Sequence, residues 1–178
     1  YYNAKSEVDS SRETLDKSKS LTLLAQKVAV GEAVKNKILD DLSQIENLEK
    51  SSQVNDLIEP FMDILKKLLD SDSMSTQEVR ALPDTINYAI TQCRTLLNEM
   101  KSIVGGKDES YVYASNFLAQ VCLGSCVKYA NETDNYSSIL TVLDRVRLLD
   151  MAPDTRSKLN ENNRIIASNL TISNQNSS

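Results

Sequence analysis

The chain has 178 residues, of which 40% are hydrophobic, with 20 basic residues, 25 acidic residues and a net charge of −5 at pH 7. This acidic balance argues against nucleic acid or an anionic membrane as the main partner, since either would need a contiguous basic face. The chain contains no histidine, which excludes Ser-His and Cys-His catalysis and the zinc sites that use histidine.

Scarce glycine and proline, together with the absence of period-2 alternation, predict helices nearly throughout. Apolar residues at steps of three and four predict a first helix over 10–49, long enough for an elongated bundle unless it breaks. The candidate break is Ala29–Gly31, because an interior glycine costs about 1 kcal/mol relative to alanine. A second helix over 52–69 carries the strongest apolar stripe, with a kink or a restart expected at Pro60. A polar loop over 70–74 follows.

Ser75 and Glu78 have the spacing of a capping box, which predicts the start of a helix. Pro83 predicts that this first piece ends near 81–82 and that a longer helix starts at Asp84. The apolar residues of the longer helix follow the a and d steps of a bundle: Ile86, Ile90, Cys93, Leu97, Met100 and Val104.

Gly105 and Gly106 are predicted to end this helix as a C-cap. The next helix is predicted to start at 107–110 and to stop near Asn131. Its buried face is expected to comprise Tyr111, Ala114, Leu118, Val121, Cys122 and Ser125, enlarged by Val112 and Tyr113.

A further helix is predicted over about 136–150, and a last one from Thr155. The chain ends in a polar tail, 171–178, whose run from Ser173 is predicted by composition alone to be disordered. We therefore expect one all-α domain over 1–178, an up-and-down helical bundle of about five to six helices with coiled-coil-like stripes.

Cys93, Cys122 and Cys126 are too few for a disulfide scaffold, and an odd number leaves at least one thiol unbridged within the chain. Cys122 and Cys126 share one helix face, where the torsion for a bridge is poor. A bridge from Cys93 to one of them would tie two helices together. The alternative is three buried thiols acting as small hydrophobic side chains. Without histidine or a fourth ligand the cysteines make a poor metal site, so no metal is expected.

Four glycosylation sequons are present, at Asn131, Asn135, Asn169 and Asn176. Their number is close to chance, but their positions in a polar break and in the tail, away from apolar stripes, favour an extracellular, secreted glycoprotein. The chain begins at Tyr1 without methionine, as expected of a processed protein or an excised piece. No stretch approaches the roughly 20 apolar residues that span a bilayer. The alternative is a cytoplasmic protein with reduced thiols.

Five tyrosines are concentrated around the third to fifth predicted helices: Tyr88, Tyr111, Tyr113, Tyr129 and Tyr136. Tyrosine combines an apolar ring with a polar tip, which suits packing at the edge of the core, an interface or the mouth of a cavity. In the last case Phe61, Met62 and Met100 would line an apolar cavity together with the tyrosines.

The carboxylate pairs, such as Asp40 and Asp41, are predicted on solvated faces or at helix ends rather than in a catalytic cleft. The run from Asp70 lacks the glycine and the final acidic residue of a calcium loop, and Gly105–Asp108 lacks the spacing of a phosphate loop. We therefore expect a non-enzymatic protein without a cofactor that acts through protein binding or self-association. The alternatives are an extracellular carrier of a lipid or other apolar small molecule and an intracellular adaptor or effector.

Overall fold

A computed structural model describes residues 14–19, 32–70 and 73–176 of the chain. Helices form nearly all of this part of the chain and no strand occurs in it, which confirms the predicted all-α fold. Residues 14–19 are helical. The helices that follow are α1 (Glu32–Leu69), α2 (Thr76–Arg80), α3 (Leu82–Val104), α4 (Glu109–Thr133), α5 (Tyr136–Val146) and α6 (Pro153–Asn176).

The chain divides into two compact units, Tyr1–Asp56 and Leu57–Ser178, with the boundary inside α1. In the second unit α3 packs on α4, α4 on α5 and α5 on α6. The helices α3 and α5 also touch each other, as do α4 and α6, and the short α2 lies against α3 and α4. Helix α4 therefore contacts each of α2, α3, α5 and α6, and the second unit is a helical bundle as predicted.

The core of the second unit consists of large apolar side chains with almost no exposed surface. Each such side chain stabilises the fold by about 1.5–3 kcal/mol relative to an exposed position. The largest of them are Phe61, Leu65, Leu82, Ile86, Ile90, Met100, Leu118, Ile139, Leu143 and Leu159.

Helix α1 continues through two positions where the sequence predicts an interruption. The predicted boundary at 49–52 is wrong, because these residues are helical and the Ser51 hydroxyl donates to the carbonyl of Asn47 at 2.9 Å. Pro60 lies inside the same helix. A proline removes one backbone hydrogen bond, but buried residues on both sides, including Leu57 and Phe61, keep this stretch helical. The candidate break at Ala29–Gly31 lies outside the described residues.

The predicted capping box is confirmed at α2. The Ser75 hydroxyl accepts from the backbone N–H of Glu78 at 3.4 Å, and the Glu78 carboxylate accepts from the backbone N–H of Ser75 at 2.8 Å. These bonds satisfy donors that the first turn of a helix leaves unpaired. Helix α3 starts at Leu82, two residues before the predicted start, with Pro83 in its first turn. Its predicted C-cap at Gly105 is confirmed, with φ +91°.

The C-terminal part of the chain is more helical than its composition predicts. Helix α5 ends at Val146, four residues before the predicted Asp150. Helix α6 then runs to Asn176, so most of the tail predicted to be disordered is helical. Within it the Thr171 hydroxyl donates to the carbonyl of Ala167 at 3.1 Å, a local bond that a helical backbone permits.

Candidate functional site

The three cysteines are free, buried thiols in the helical core. Of the two alternatives that the sequence leaves open, the structure has the three buried thiols, which pack as small hydrophobic side chains, and not a bridge from Cys93 to α4. Burial raises the pKa of the Cys93 thiol to about 12. Burial also raises the pKa of Cys122 and of Cys126, and the neighbouring thiols raise that of Cys122 further. Thiols with raised pKa are weak nucleophiles, so these positions contribute packing rather than reactivity.

The five tyrosines do not form one site. Tyr111 and Tyr129 are buried, whereas Tyr88 and Tyr113 are 61% and 73% exposed. Tyr136 is half-buried, and its hydroxyl donates to the Asp134 carboxylate at 2.9 Å. The tyrosines therefore divide between the core, the surface and one local polar contact.

The side chains expected to line an apolar cavity are also separated. Phe61 and Met100 belong to the packed core, and Met62 is exposed. A cavity of about 300 Å³ lies instead in the first unit, lined by Leu15, Asp16, Glu49, Ser52 and Gln53. This lining includes two carboxylates and none of the expected residues, so the cavity does not resemble a lipid pocket.

Tyr111 links the start of α4 to Asp150, in the segment before α6. Its hydroxyl donates to the Asp150 carboxylate at 2.5 Å, and the Lys101 ammonium lies 3.4 Å from the same oxygen and 5.1 Å from the centre of the Tyr111 ring. The hydrogen bond from Tyr111, with the nearby charge of Lys101, lowers the pKa of Asp150. Burial and this carboxylate raise the pKa of Tyr111. The phenol therefore stays protonated at neutral pH and acts as a donor.

The segment 147–152 is held by further bonds that sequence reasoning missed. The Ser115 hydroxyl donates to the carbonyl of Asp150 at 2.7 Å, and the backbone N–H of Ala152 donates to the Asn116 side chain at 2.9 Å. The Arg156 guanidinium donates to the carbonyls of Arg147 and Leu149. These contacts satisfy backbone groups that a non-helical segment leaves free. Their role is structural, because they bring no nucleophile beside a base.

The outward side of α4 is the feature with the clearest functional implication. Residues 110–127 contain no Lys, Arg, Asp or Glu. One side of the helix faces the core, and the other side carries a set of residues that we name the outer face: Tyr113, Phe117, Gln120, Val121, Gly124, Val127 and Lys128. Each is exposed or half-buried. The outer face borders α6 at Gln120, whose side-chain amide donates to the Thr155 hydroxyl at 3.2 Å.

The predicted assignment of Val112 and Tyr113 to the buried face is wrong, because both side chains are exposed, whereas Val121 is half-buried at the edge of that face. At about 100° per residue, Tyr113 lies on the side of α4 opposite Tyr111 and Cys122. The Tyr113 and Phe117 rings stack with centroids 6.2 Å apart and an interplanar angle of 6°. This stacking holds two aromatic rings side by side at the surface, one helical turn apart.

Gly124 leaves an open position on the outer face. A Cβ atom placed on it would meet no heavy atom within 4 Å, so packing within the chain does not require glycine here. Charges occur only towards the ends of α4, where Lys128 pairs with Glu132 at 2.6 Å and Glu109 lies in the first turn. The centre of the outer face is thus uncharged, partly aromatic and recessed at one point.

Three of the four sequon asparagines lie inside helices rather than in the predicted polar break and disordered tail: Asn131 in α4, and Asn169 and Asn176 in α6. Asn131, Asn135 and Asn176 are exposed, and Asn169 is half-buried. Asn135 lies between α4 and α5, where its side-chain oxygen accepts from Ser137 at 3.4 Å. Asn131 lies in the last turn of α4, beyond Lys128 on the same side.

Comparisons with protein-family models, with characterised proteins and with solved structures find no match to this chain. Among the described residues, no helix is both long enough and apolar enough to cross a membrane. In the same part of the chain, no group of three or more acidic or cysteine side chains is arranged to hold a metal ion.

Proposed function

We propose that this chain is a non-enzymatic helical-bundle protein that acts by binding protein through the outer face of α4. The observation that carries the proposal is Tyr113, 73% exposed and stacked on Phe117 in a stretch without charged residues. A solvated helix face normally carries charged and polar residues. The centres of protein interfaces are enriched in aromatic residues and depleted in charged ones.

The exposed sequons support an extracellular location for this binding protein. A glycan requires an exposed asparagine and passage through the secretory pathway, and Asn135 supplies such a site between two helices. The three free thiols favour the alternative, an intracellular adaptor or effector that uses the same face. A decrease in mass when protein from the natural source is treated with a glycosidase supports secretion, and an unchanged mass supports the adaptor.

Binding through the outer face is tested by a photoreactive amino acid in place of Tyr113. We expect irradiation of the protein in its natural setting to give a covalent adduct with a discrete second chain. The matched control carries the same amino acid at Glu161, an exposed position on α6. No adduct from position 113, or equal adducts from both positions, would contradict binding through the outer face.

A further inference from the structure

We propose that the outer face of α4 binds a second copy of this chain, with the two α4 helices antiparallel and related by a twofold axis between Gln120 and Val121. This inference rests on the proposed function and names its partner. In a twofold interface the same patch occurs on both copies, so that residue i contacts residue j and j contacts i. The outer face can pair in this way because it carries both an aromatic ring, Phe117, and an open position, Gly124.

An axis at this point lies at the centre of the outer face. In an antiparallel pair with this axis, each residue lies opposite the residue of the second copy for which the two residue numbers add up to 241. Phe117 of one copy then lies opposite Gly124 of the other, and Tyr113 lies opposite Lys128. Val121 lies next to the axis, opposite Gln120 of the second copy, whose side-chain amide also donates to Thr155 of its own chain.

The pair of Phe117 and Gly124 supplies shape complementarity. Phe117 is half-buried on the outer face, and its ring stacks on the Tyr113 ring. Gly124 offers a recess, because no atom of its own chain fills the space above it. A ring from one helix can therefore approach the backbone of the other, and the twofold axis provides this contact twice. Small residues at helix crossings permit the same close approach elsewhere.

The pair of Tyr113 and Lys128 supplies electrostatic complementarity. A lysine ammonium is attracted to the face of a tyrosine ring, and Lys128 is the cation of the outer face. The same axis brings Glu109 near Glu132 of the second copy, at the solvated ends of the helices. Lys128 already pairs with Glu132 in its own chain, which reduces this repulsion, and salt screens it further. The centre of the interface contains no ion pair.

One helix pair is a small interface, so we expect a weak dimer with a Kd of about 10 µM. Sedimentation of the full chain over a concentration series measures this equilibrium. Raising the salt concentration should leave the dimer intact or strengthen it, because no ion pair holds its centre. Dissociation by salt would overturn the inference. Protein from a bacterial host is used, so that Asn131 carries no glycan.

The recess at Gly124 is tested by Gly124→Leu, which places a side chain where Phe117 of the second copy would lie. We expect this variant to weaken the dimer at least tenfold. The control, Asn160→Leu, adds the same side chain at an exposed position of α6 and should leave the Kd unchanged. The helical circular dichroism of both variants shows that each is folded. Equal dimerisation of Gly124→Leu and the native chain would overturn the inference.

The antiparallel arrangement is tested by cross-linking with a short bismaleimide. Val121→Cys lies beside the axis and should give a covalent dimer, whereas the native cysteines are buried and should stay unmodified. Asn131→Cys lies far from the axis, about 30 Å from its copy at a rise of about 1.5 Å per residue, and should stay monomeric. A dimer from Asn131→Cys, as a parallel pair would give, overturns the inference.

These results separate the inference from the proposed function. If the native chain stays monomeric and position 113 cross-links to a different protein, the inference that the partner is a second copy is overturned. The proposal that the outer face binds protein is then still supported. A monomer without any adduct overturns both. A monomer in which position 113 cross-links within its own chain also overturns both, because the outer face is then occupied from inside the molecule.

Discussion

Burial determines how the cysteines behave. Cys93, Cys122 and Cys126 have no exposed surface, and burial raises the pKa of each thiol. The thiolate is the reactive form, so both access and ionisation disfavour modification in the folded chain. We expect a dithio-nitrobenzoate reagent to leave all three thiols unmodified under native conditions and to titrate three thiols after unfolding without a reductant.

The same titration distinguishes this structure from the bridged alternative. A bridge between Cys93 and a cysteine of α4 would leave one thiol in the unfolded chain, and a reductant would then raise the count to three. A count of one before reduction would contradict the free thiols. The cysteines also show what sequence reasoning could not decide, because the spacing in the sequence allowed both a bridge and three thiols.

Tyr111 and Asp150 form a polar contact whose strength depends on pH. Tyr111→Phe removes the hydroxyl that donates to the Asp150 carboxylate at 2.5 Å. Hydrogen bonds to charged groups contribute about 1.5–3 kcal/mol when buried. The Asp150 side chain is 62% exposed, so solvent reduces this contribution, and we expect the variant to lose about 1 kcal/mol of unfolding free energy at pH 7. Urea denaturation measures the loss.

The pKa of Asp150 fixes the direction of the pH dependence. It is lowered in the folded chain, so the stability from this contact is present above the usual pKa of 3.8. It is lost as the pH falls through the lowered folded value. The difference between the native chain and Tyr111→Phe should therefore shrink in acid. Tyr113→Phe is the control, since its hydroxyl lies at the surface. A loss that is constant with pH would contradict the role of Asp150.

At the scale of the helix, Gly124 and Gly105 should respond in opposite ways to the same substitution. A Cβ at either position meets no atom within 4 Å, but Gly124 lies inside α4 whereas Gly105 has φ +91°. Alanine in a helix interior is favoured over glycine by about 1 kcal/mol. We expect Gly124→Ala to raise the unfolding free energy by about this amount, measured at concentrations where the chain is monomeric.

Gly105→Ala is the matched control for that gain. A residue with a Cβ atom is strained at this backbone angle by about 1 kcal/mol or more, so we expect this variant to be less stable than the native chain. Stabilisation by both substitutions, or by neither, would contradict the distinction between the two positions. Gly124→Ala should also weaken the proposed dimer, because the added Cβ atom lies where Phe117 of the second copy would pack. A glycine that only packs within its own chain would show the gain in stability without weaker association.

The helices show which patterns could be predicted from sequence. The three- and four-residue spacing of apolar residues in α3 correctly predicted five buried residues, from Ile86 to Met100, because the apolar side chains of this helix lie on one side. The Ser75 capping box was also predictable, since it depends on two residues at a fixed spacing. In α4 the apolar residues lie on all sides, so no single stripe separates the core from the outer face. The stacked pair of Tyr113 and Phe117 was missed for this reason.

At the scale of the whole molecule, the sequence predicts one domain, and no boundary was expected at Asp56. The structure divides the chain there, inside the continuous helix α1. When one continuous helix belongs to two units, neither its composition nor its apolar periodicity changes at the division. The sequence pattern therefore does not reveal the boundary. The buried hydrophobic residues follow the division closely. Among the described residues of the first unit they are Ile38 and Val54, whereas the second unit contains a large core.

This distribution predicts that the second unit folds without the first. A fragment over 52–178 retains Leu57 and Phe61 on α1, together with α2 to α6. A domain with its own hydrophobic core is expected to fold independently. We expect the fragment to unfold cooperatively, with a thermal midpoint within about 5 °C of the main transition of the full chain, as measured by circular dichroism.

The shorter fragment 70–178 shows whether the end of α1 belongs to that core. It lacks Leu57, Phe61, Leu65 and Leu68, which are all buried. Truncating one large core side chain typically costs about 2–5 kcal/mol, and a whole domain is stable by only about 5–15 kcal/mol. Removing all four should therefore leave no cooperative transition. If 70–178 unfolds at the same temperature as 52–178, the end of α1 does not stabilise the second unit, and the division at Asp56 is in the wrong place.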